Sequence, residues 1–119
     1  MKAPVRSPAI THLEGGAASM PDDLEALRAL ADQYTEEGFH AEGLVVDRDL
    51  ARRLPDDPLV HYNLACSLSL TADLEGALEA LRRAVKLGYD DFRFLMKDRD
   101  LAALRRTGAF RKWLEEVVA

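Results

Sequence analysis

The stretch HYNLACSLSL, residues 61–70, brings together the residue types that are most able to do chemistry: a histidine, a tyrosine, an asparagine, two serines and Cys66, the chain's only cysteine. A thiol nucleophile needs a base within hydrogen-bond reach and a third group that orients the base. His61 precedes Cys66 by five residues, which sets the two side chains about 140° apart around a helix at ~100° per residue. The spacing therefore favours packing or binding over catalysis.

Two further groups of polar residues are candidates for metal binding or acid–base chemistry. The three histidines and the single cysteine do not follow the spacing of a zinc site. Asp98 and Asp100 form a pair of carboxylates, but helix capping before Leu101 explains them more simply. We therefore predict no catalytic residue, no cofactor and no metal site.

Composition and charge limit the fold class and the kind of partner. The chain has 119 residues, which suits one domain. Hydrophobic residues make up 48% of it but aromatic residues only 7%, so the core must consist of Leu, Ala and Val, which favours packed helices over a sheet. The net charge of −5 argues against a nucleic-acid partner, because phosphate binding requires a basic surface. The predicted fold class is all-α.

The cellular setting is predicted from the cysteine content and the lack of long apolar runs. A single cysteine cannot form an internal disulfide, and the first ten residues lack the apolar run of a signal peptide. The chain also lacks the ~20 consecutive apolar residues that span a bilayer. The simplest prediction is a cytoplasmic protein without a membrane partner.

The chain divides into an N-terminal extension and a helical domain. Residues 1–20 contain two prolines and a Gly-Gly pair, which predicts a flexible extension. Residues 21–119 show apolar residues three or four apart, which is typical of helices. Asp57-Pro58 and Asp73 are signals for helix starts, because Asp accepts backbone N–H groups and Pro needs no partner in the first turn.

The helical domain repeats itself at an offset of 34 residues. Leu30 then aligns with Leu64 and Ala31 with Ala65, and no insertion is needed. A fixed offset of this kind indicates two copies of one helix hairpin.

A helix–turn–helix unit of 34 residues resembles the tetratricopeptide repeat (TPR) family. Repeat one, about residues 24–57, matches the family's pattern of apolar, small and aromatic residues at Leu27, Leu30, Ala31, Tyr34, Gly38, Gly43, Leu50 and Pro55. Repeat two, about residues 58–91, matches it at Leu64, Ala65, Leu68, Ala72, Ala77, Leu81 and Ala84. The pattern is broken at Asp47, His61 and Tyr89. The resemblance implies an α-solenoid of antiparallel helix pairs.

Residues 88–110 resemble a segment that closes the repeats in many bacterial TPR proteins. The matching positions are Gly88, Tyr89, Asp91, Phe92, Leu95, Asp98, Asp100, Leu101, Leu104, Arg105 and Phe110. A final helix is predicted, with an apolar stripe of Phe110, Trp113, Leu114 and Val117. Residues 92–119 are therefore expected to form a capping segment over the open face of repeat two.

The TPR resemblance also implies a concave groove lined by the first helix of each repeat. The residues expected there, and hence expected to bind the partner, are Arg28, Asp32, Thr35, Tyr62, Asn63, Cys66 and Ser69. Tyr62 would stack on a peptide, and Arg28 and Asn63 would hydrogen-bond to it. A chaperone's C-terminal carboxylate is a poor ligand, because Asp32 would repel it. We predict a non-enzymatic module that binds a peptide or protein partner.

Two alternatives stay open at this point. One is a structural subunit that forms a homodimer through its terminal helices, since two repeats are few for a stable solenoid. The other is a thiol enzyme using Cys66, which requires a lowered thiol pKa. The basic residues of the tail are interpreted as a solvated face of the capping helices or as a surface for an acidic partner, and they are Arg105, Arg106, Arg111 and Lys112.

Overall fold

The computed structural model describes residues 5–119, and the regular structure in this part of the chain is entirely helical. The α-helices are α1 (Pro8–Ser19), α2 (Leu24–Glu36), α3 (His40–Arg53), α4 (Pro58–Leu70), α5 (Leu74–Lys86), α6 (Phe92–Leu95), α7 (Ala102–Arg105) and α8 (Gly108–Val118). A 3₁₀ turn, Arg99–Leu101, lies between α6 and α7. The predicted all-α class is confirmed. Within residues 5–119, no helix has the length and apolar content needed to cross a membrane.

Helices α2 to α5 form two hairpins that repeat at the predicted offset. The first helices begin at Leu24 and Pro58, and the second helices begin at His40 and Leu74. Each helix packs on the next, α2 on α3, α3 on α4 and α4 on α5. The predicted arrangement of repeated helix pairs is therefore confirmed.

The tight turn inside each hairpin has the same backbone conformation. Gly38 has φ 88° and Ala72 has φ 68°, both in the left-handed region. In each turn the next residue's N–H donates to a carbonyl of the preceding helix, at 2.8 Å for Phe39 and 2.9 Å for Asp73. Glycine adopts this conformation freely, whereas an alanine there costs roughly 1–2 kcal/mol.

The N-terminal segment departs from the prediction. The flexible extension predicted for residues 1–20 is wrong for the part that forms α1, which packs on α2. Ser7 Oγ accepts the N–H of Ile10, and Pro8 lies in the first turn, where its missing N–H is not needed. The predicted extension also covers residues 1–4, which lie outside the residues that the structure describes.

Tertiary contacts explain why α1 forms despite two glycines in its sequence. Gly15 and Gly16 each weaken a helix by about 1 kcal/mol relative to alanine. Ile10 is completely buried, and Tyr34 of α2 donates its hydroxyl proton to Glu14. These contacts offset the poor local propensity, which is why the prolines and glycines were misleading.

Residues 92–119, the capping segment, pack over repeat two. Leu95, Leu101 and Leu104 of this segment are completely buried. Arg105 holds the segment together by donating to the carbonyl of Leu95 at 2.9 Å. Arg105 is therefore structural, whereas Arg106, Arg111 and Lys112 are exposed.

The buried apolar side chains form two clusters. One joins α1, α2 and α3 to Val60 at the start of α4. The other joins the rest of α4 and α5 to the capping segment. The boundary between these clusters is where the candidate site lies.

Candidate functional site

A cavity of about 380 Å³ opens beside the first helices of the two repeats, between α2, α3, α4 and the capping segment. Five carboxylates line it, those of Asp32, Glu36, Asp47, Asp98 and Asp100. The other lining residues are Thr35, Tyr62, Asn63, Cys66, Phe94 and Arg99, and Arg99 is the one basic side chain in this set. We call this site the acidic cavity.

Asp47 is the most deeply placed of the five acids. Helix α3 approaches α2 closely at Gly43, where a Cβ atom would lie 3.4 Å from Thr35 Oγ1. One turn further along α3, Asp47 is only 4% exposed, and its Oδ2 atom accepts a hydrogen bond from Ser67 of α4. Burial, together with the negative charge of Asp32, raises the pKa of Asp47 to about 6. The cavity thus contains a strongly desolvated carboxylate.

Two other carboxylates of the cavity also have a raised pKa. Burial raises the pKa of Asp32, and burial together with the charge of Asp98 raises the pKa of Asp100. Within residues 5–119, every side-chain ion pair uses an acid outside the cavity. Arg28, one turn before Asp32 on α2, pairs with Asp57 instead. The cavity therefore concentrates negative charge that the described chain leaves without an ion-pair partner.

The structure corrects the prediction that Tyr62 offers an open ring to a peptide. Tyr62 is 4% exposed, because its ring stacks on Tyr89 with 4.3 Å between centroids. Its hydroxyl donates to Asp98 Oδ2 at 2.7 Å. Cys66, also predicted to be on the groove, is 6% exposed. The capping segment covers both side chains, so they form the wall of the cavity and not a free surface.

The remaining predicted groove residues divide into two groups. Asp32, Thr35 and Asn63 line the acidic cavity, so the fold brings these three together. Arg28 is outside the lining and engaged with Asp57. Ser69 is buried away from the cavity, and its hydroxyl has no hydrogen-bond partner in the described part of the chain.

Cys66 lacks the surroundings of an active thiol. Its Sγ atom is 3.7 Å from Asp98 Oδ2. Burial raises the pKa of this thiol, and the charges of Asp98 and Asp100 raise it further. His61 points elsewhere, with Nε2 2.8 Å from the carbonyl of Pro55. A thiol held in its protonated form is a poor nucleophile, so this geometry opposes the thiol-enzyme alternative.

Three potential metal-binding atoms meet at one side of the cavity. The donor atoms of Cys66, Asp98 and Asp100 lie within 4.8 Å of one another. However, Asp98 Oδ1 accepts the N–H of Asp100 at 3.0 Å, and Asp98 Oδ2 accepts the hydroxyl of Tyr62. The predicted capping role of Asp98 is thereby confirmed. Because both of its oxygens are engaged, Asp98 acts as a link between α4 and the capping segment.

Several cavity residues were not among the predicted groove residues. For Asp47 a signal was present, because it stands where the repeat pattern calls for a large apolar side chain. Phe94, Arg99 and Asp100 reach the cavity only through the path of the capping segment. No local spacing encodes that path.

A second, larger depression of about 1050 Å³ lies along α5 and the start of α8. Its lining includes apolar side chains such as Leu68 and Leu78 and exposed charges of both signs, such as Glu79 and Arg82. No charged side chain in this lining is buried. This depression therefore offers less chemical selectivity than the acidic cavity.

Comparison with known proteins finds a partial likeness. No protein-family model matches the chain, and no solved structure matches it. A chloroplastic protein of Arabidopsis thaliana is 31% identical over 87 residues, which is 71% of this chain and 26% of that protein. The chain thus spans about a quarter of the length of this relative. A likeness of this extent leaves the function to be argued from the site.

Proposed function

We propose that the chain is a non-enzymatic, TPR-like interaction module that holds a peptide or protein partner at the acidic cavity. The observation that carries the proposal is the group of five carboxylates, none ion-paired within residues 5–119, at the junction of two helix hairpins. Uncompensated charge in a concave site is costly to the folded state, and a complementary partner relieves that cost.

The repeated hairpins support the assignment to the TPR type, and the capping segment supports the likeness to bacterial TPR proteins. The buried, protonated thiol suits a protein that works in a reducing compartment, and we propose the cytoplasm. The exposed Asp32 and the half-buried Asn63 give a partner direct access to the polar lining of the cavity.

The proposal is tested by blocking the cavity without disturbing the core. Asn63 is half-buried and makes no side-chain hydrogen bond within the described residues, so Asn63→Trp places a bulky ring over the cavity. Glu116→Trp on the exposed side of α8 is the matched control. Partners are captured from lysate of the native cell with the wild type and both variants, and are identified by mass spectrometry.

We expect one set of partners to be lost with Asn63→Trp and kept with Glu116→Trp. Partners that survive both changes would place binding outside the cavity and contradict the proposal. Recovery of only the chain itself would favour the homodimer alternative, which a concentration series in sedimentation velocity would then measure.

A further inference from the structure

We propose that the group received by the acidic cavity is a lysine or arginine side chain of the partner. The inference rests on the proposed function, in that the occupant belongs to a protein. Two features of the cavity carry it: a buried carboxylate with a free oxygen, and the absence of an ion-pairing cation in residues 5–119.

The buried carboxylate is Asp47. Within residues 5–119 the hydroxyl of Ser67 is its one hydrogen-bond donor, and it reaches Oδ2. The other oxygen, Oδ1, is left without a donor although the side chain is more than nine-tenths buried and lines the cavity. A buried carboxylate is stable when it is paired with a cation or keeps its proton. Above its pKa of about 6 Asp47 loses its proton, so at neutral pH the free Oδ1 atom is an acceptor for a positively charged donor in the cavity.

The basic side chains of the described chain leave this position open. Arg28 and Arg6 pair with acids outside the cavity. Arg99 lies in the lining of the cavity, but this residue is exposed and makes no ion pair within residues 5–119. His40 lowers the pKa of Asp100, but burial and a neighbouring carboxylate raise that pKa by more. No basic side chain of residues 5–119 forms an ion pair with the five carboxylates, although the charge of Arg28 acts on Asp32 and the charges of His40 and Arg99 act on Asp100.

The size of the cavity favours a long cationic side chain over a bare ion. A volume of 380 Å³ corresponds to about a dozen waters at ~30 Å³ each, so one metal ion would leave most of it hydrated. A lysine or arginine fills more of the space with its aliphatic stem and brings the charge to the bottom. Phe94 in the lining is 44% exposed and offers an aromatic surface for that stem or for the cation.

The arrangement of the ligand atoms is also unsuited to a divalent metal. Within residues 5–119, the side chains whose donor atoms lie close enough together to ligate one metal ion are Cys66, Asp98 and Asp100. Both carboxylate oxygens of Asp98 already accept hydrogen bonds. A metal would have to share the oxygens of Asp98 with the hydroxyl of Tyr62 and the N–H of Asp100. It would also have to remove the proton of the buried Cys66 thiol. The acids on α2 and α3 stand outside that cluster. A flexible organic cation can reach these separate acids without such a rearrangement.

The test uses three small probes and an NMR titration. The probes are the Nα-acetyl N-methylamides of lysine, of arginine and of norleucine, and norleucine has the lysine stem without its charge. They are added to the full chain, and amide shifts are followed at Asn63, Thr35 and Asp47. We expect lysine and arginine probes to shift these signals saturably, and the norleucine probe to leave them unchanged.

A matched pair of double variants separates the cavity from general surface charge. Asp32→Asn with Asp100→Asn removes two cavity acids whose side chains make no hydrogen bond in the described residues. Asp90→Asn with Glu116→Gln removes two exposed acids elsewhere, so both variants carry the same net charge. We expect the cavity variant to bind the lysine probe at least tenfold more weakly, and the control variant to match the wild type.

Four results would overturn the inference. The first is equal weakening in both variants, which would indicate unspecific attraction. The second is binding of the norleucine probe as strong as that of lysine. The third is binding of Zn²⁺ or Mg²⁺ at Cys66 and Asp100 that excludes the lysine probe. A partner that Asn63→Trp releases but that tolerates the loss of Asp32 and Asp100 would also overturn the inference and leave the proposed function standing.

Discussion

Asp47 couples the stability of the chain to pH. Its pKa is raised from 3.8 to about 6, mainly by burial. The native chain therefore keeps a proton that the unfolded chain releases between these values. This carboxyl's contribution to the free energy of unfolding is complete below pH 3.8 and is lost as the pH rises through about 6. The raised pKa of Asp32 acts in the same direction.

Asp47→Asn should remove this pH-dependent loss while an amide oxygen still accepts the hydroxyl of Ser67. Each pKa step of one corresponds to ~1.4 kcal/mol, so we expect the variant to be more stable than the wild type at pH 7.5 by roughly 1–3 kcal/mol. The difference should shrink below pH 5. Urea unfolding at several pH values measures it, with exposed Asp90→Asn as the control that should show no such trend. A constant difference at every pH would contradict the assigned ionisation.

Tyr62 acts as a tie between α4 and the capping segment and not as a binding ring. Tyr62→Phe keeps the stack on Tyr89 and removes the hydroxyl that donates to Asp98. We expect a loss of roughly 1.5–3 kcal/mol of unfolding free energy, since the bond is to a charged acceptor. The matched control is Tyr89→Phe, which removes a hydroxyl that donates a longer hydrogen bond, of 3.3 Å, to the carbonyl of Asp91. Equal urea midpoints for the two variants would mean that the hydrogen bond to Asp98 stabilises the fold no more than the hydrogen bond to the Asp91 carbonyl.

At the scale of the element, the two hairpin turns solve one conformational problem with different residues. Gly38 fits the left-handed conformation and Ala72 does not, although both turns make the same hydrogen bond. Ala72→Gly should therefore raise the free energy of unfolding by about 0.5–1 kcal/mol, the relief of strain being partly offset by the entropy of glycine in the unfolded chain. Thermal melting measures the gain. The reverse change, Gly38→Ala, should lower the melting temperature. If Ala72→Gly and Gly38→Ala both melt at the same temperature as the wild type, alanine is not strained in these turns.

Helix α1 is stabilised by its contacts and weakened by its sequence. Gly15 and Gly16 have nothing within 4 Å of an added Cβ atom. Replacing both with alanine should raise stability by about 0.5–1 kcal/mol for each glycine. Ile10→Ala should instead lower it by roughly 2–4 kcal/mol, because it empties a completely buried position. Circular dichroism melts test both, and an Ile10→Ala variant as stable as the wild type would mean that α1 does not pack in solution.

On the scale of the whole molecule, the sequence predicted what depends on local signals. The helices of repeat two begin where Asp57 and Asp73 cap them, because capping and apolar spacing act over one or two turns. The site escaped prediction because it depends on distant partners. Asp98 meets Tyr62 from 36 residues away, and Ser67 meets Asp47 from 20 residues away. Such pairings follow from how the capping segment and the helices pack, which no spacing rule reports.

The buried side chains form two hydrophobic clusters, and we expect these clusters to open separately. Backbone amides of α4 and α5, in the cluster under the capping segment, should exchange with deuterated solvent more slowly than those of α1. Mass spectrometry of exchanged peptides measures this order, and protection of α1 equal to that of α5 would contradict it.

The acidic cavity draws Asp32 and Asp47 from the side of one cluster and Asp98 from the side of the other. Any transient separation of the two clusters moves these acids apart and disrupts the acidic cavity. A cation that bridges these acids would hold the two clusters together, so its binding should slow deuterium uptake along the whole of α2 and α3, including the turns outside the cavity lining.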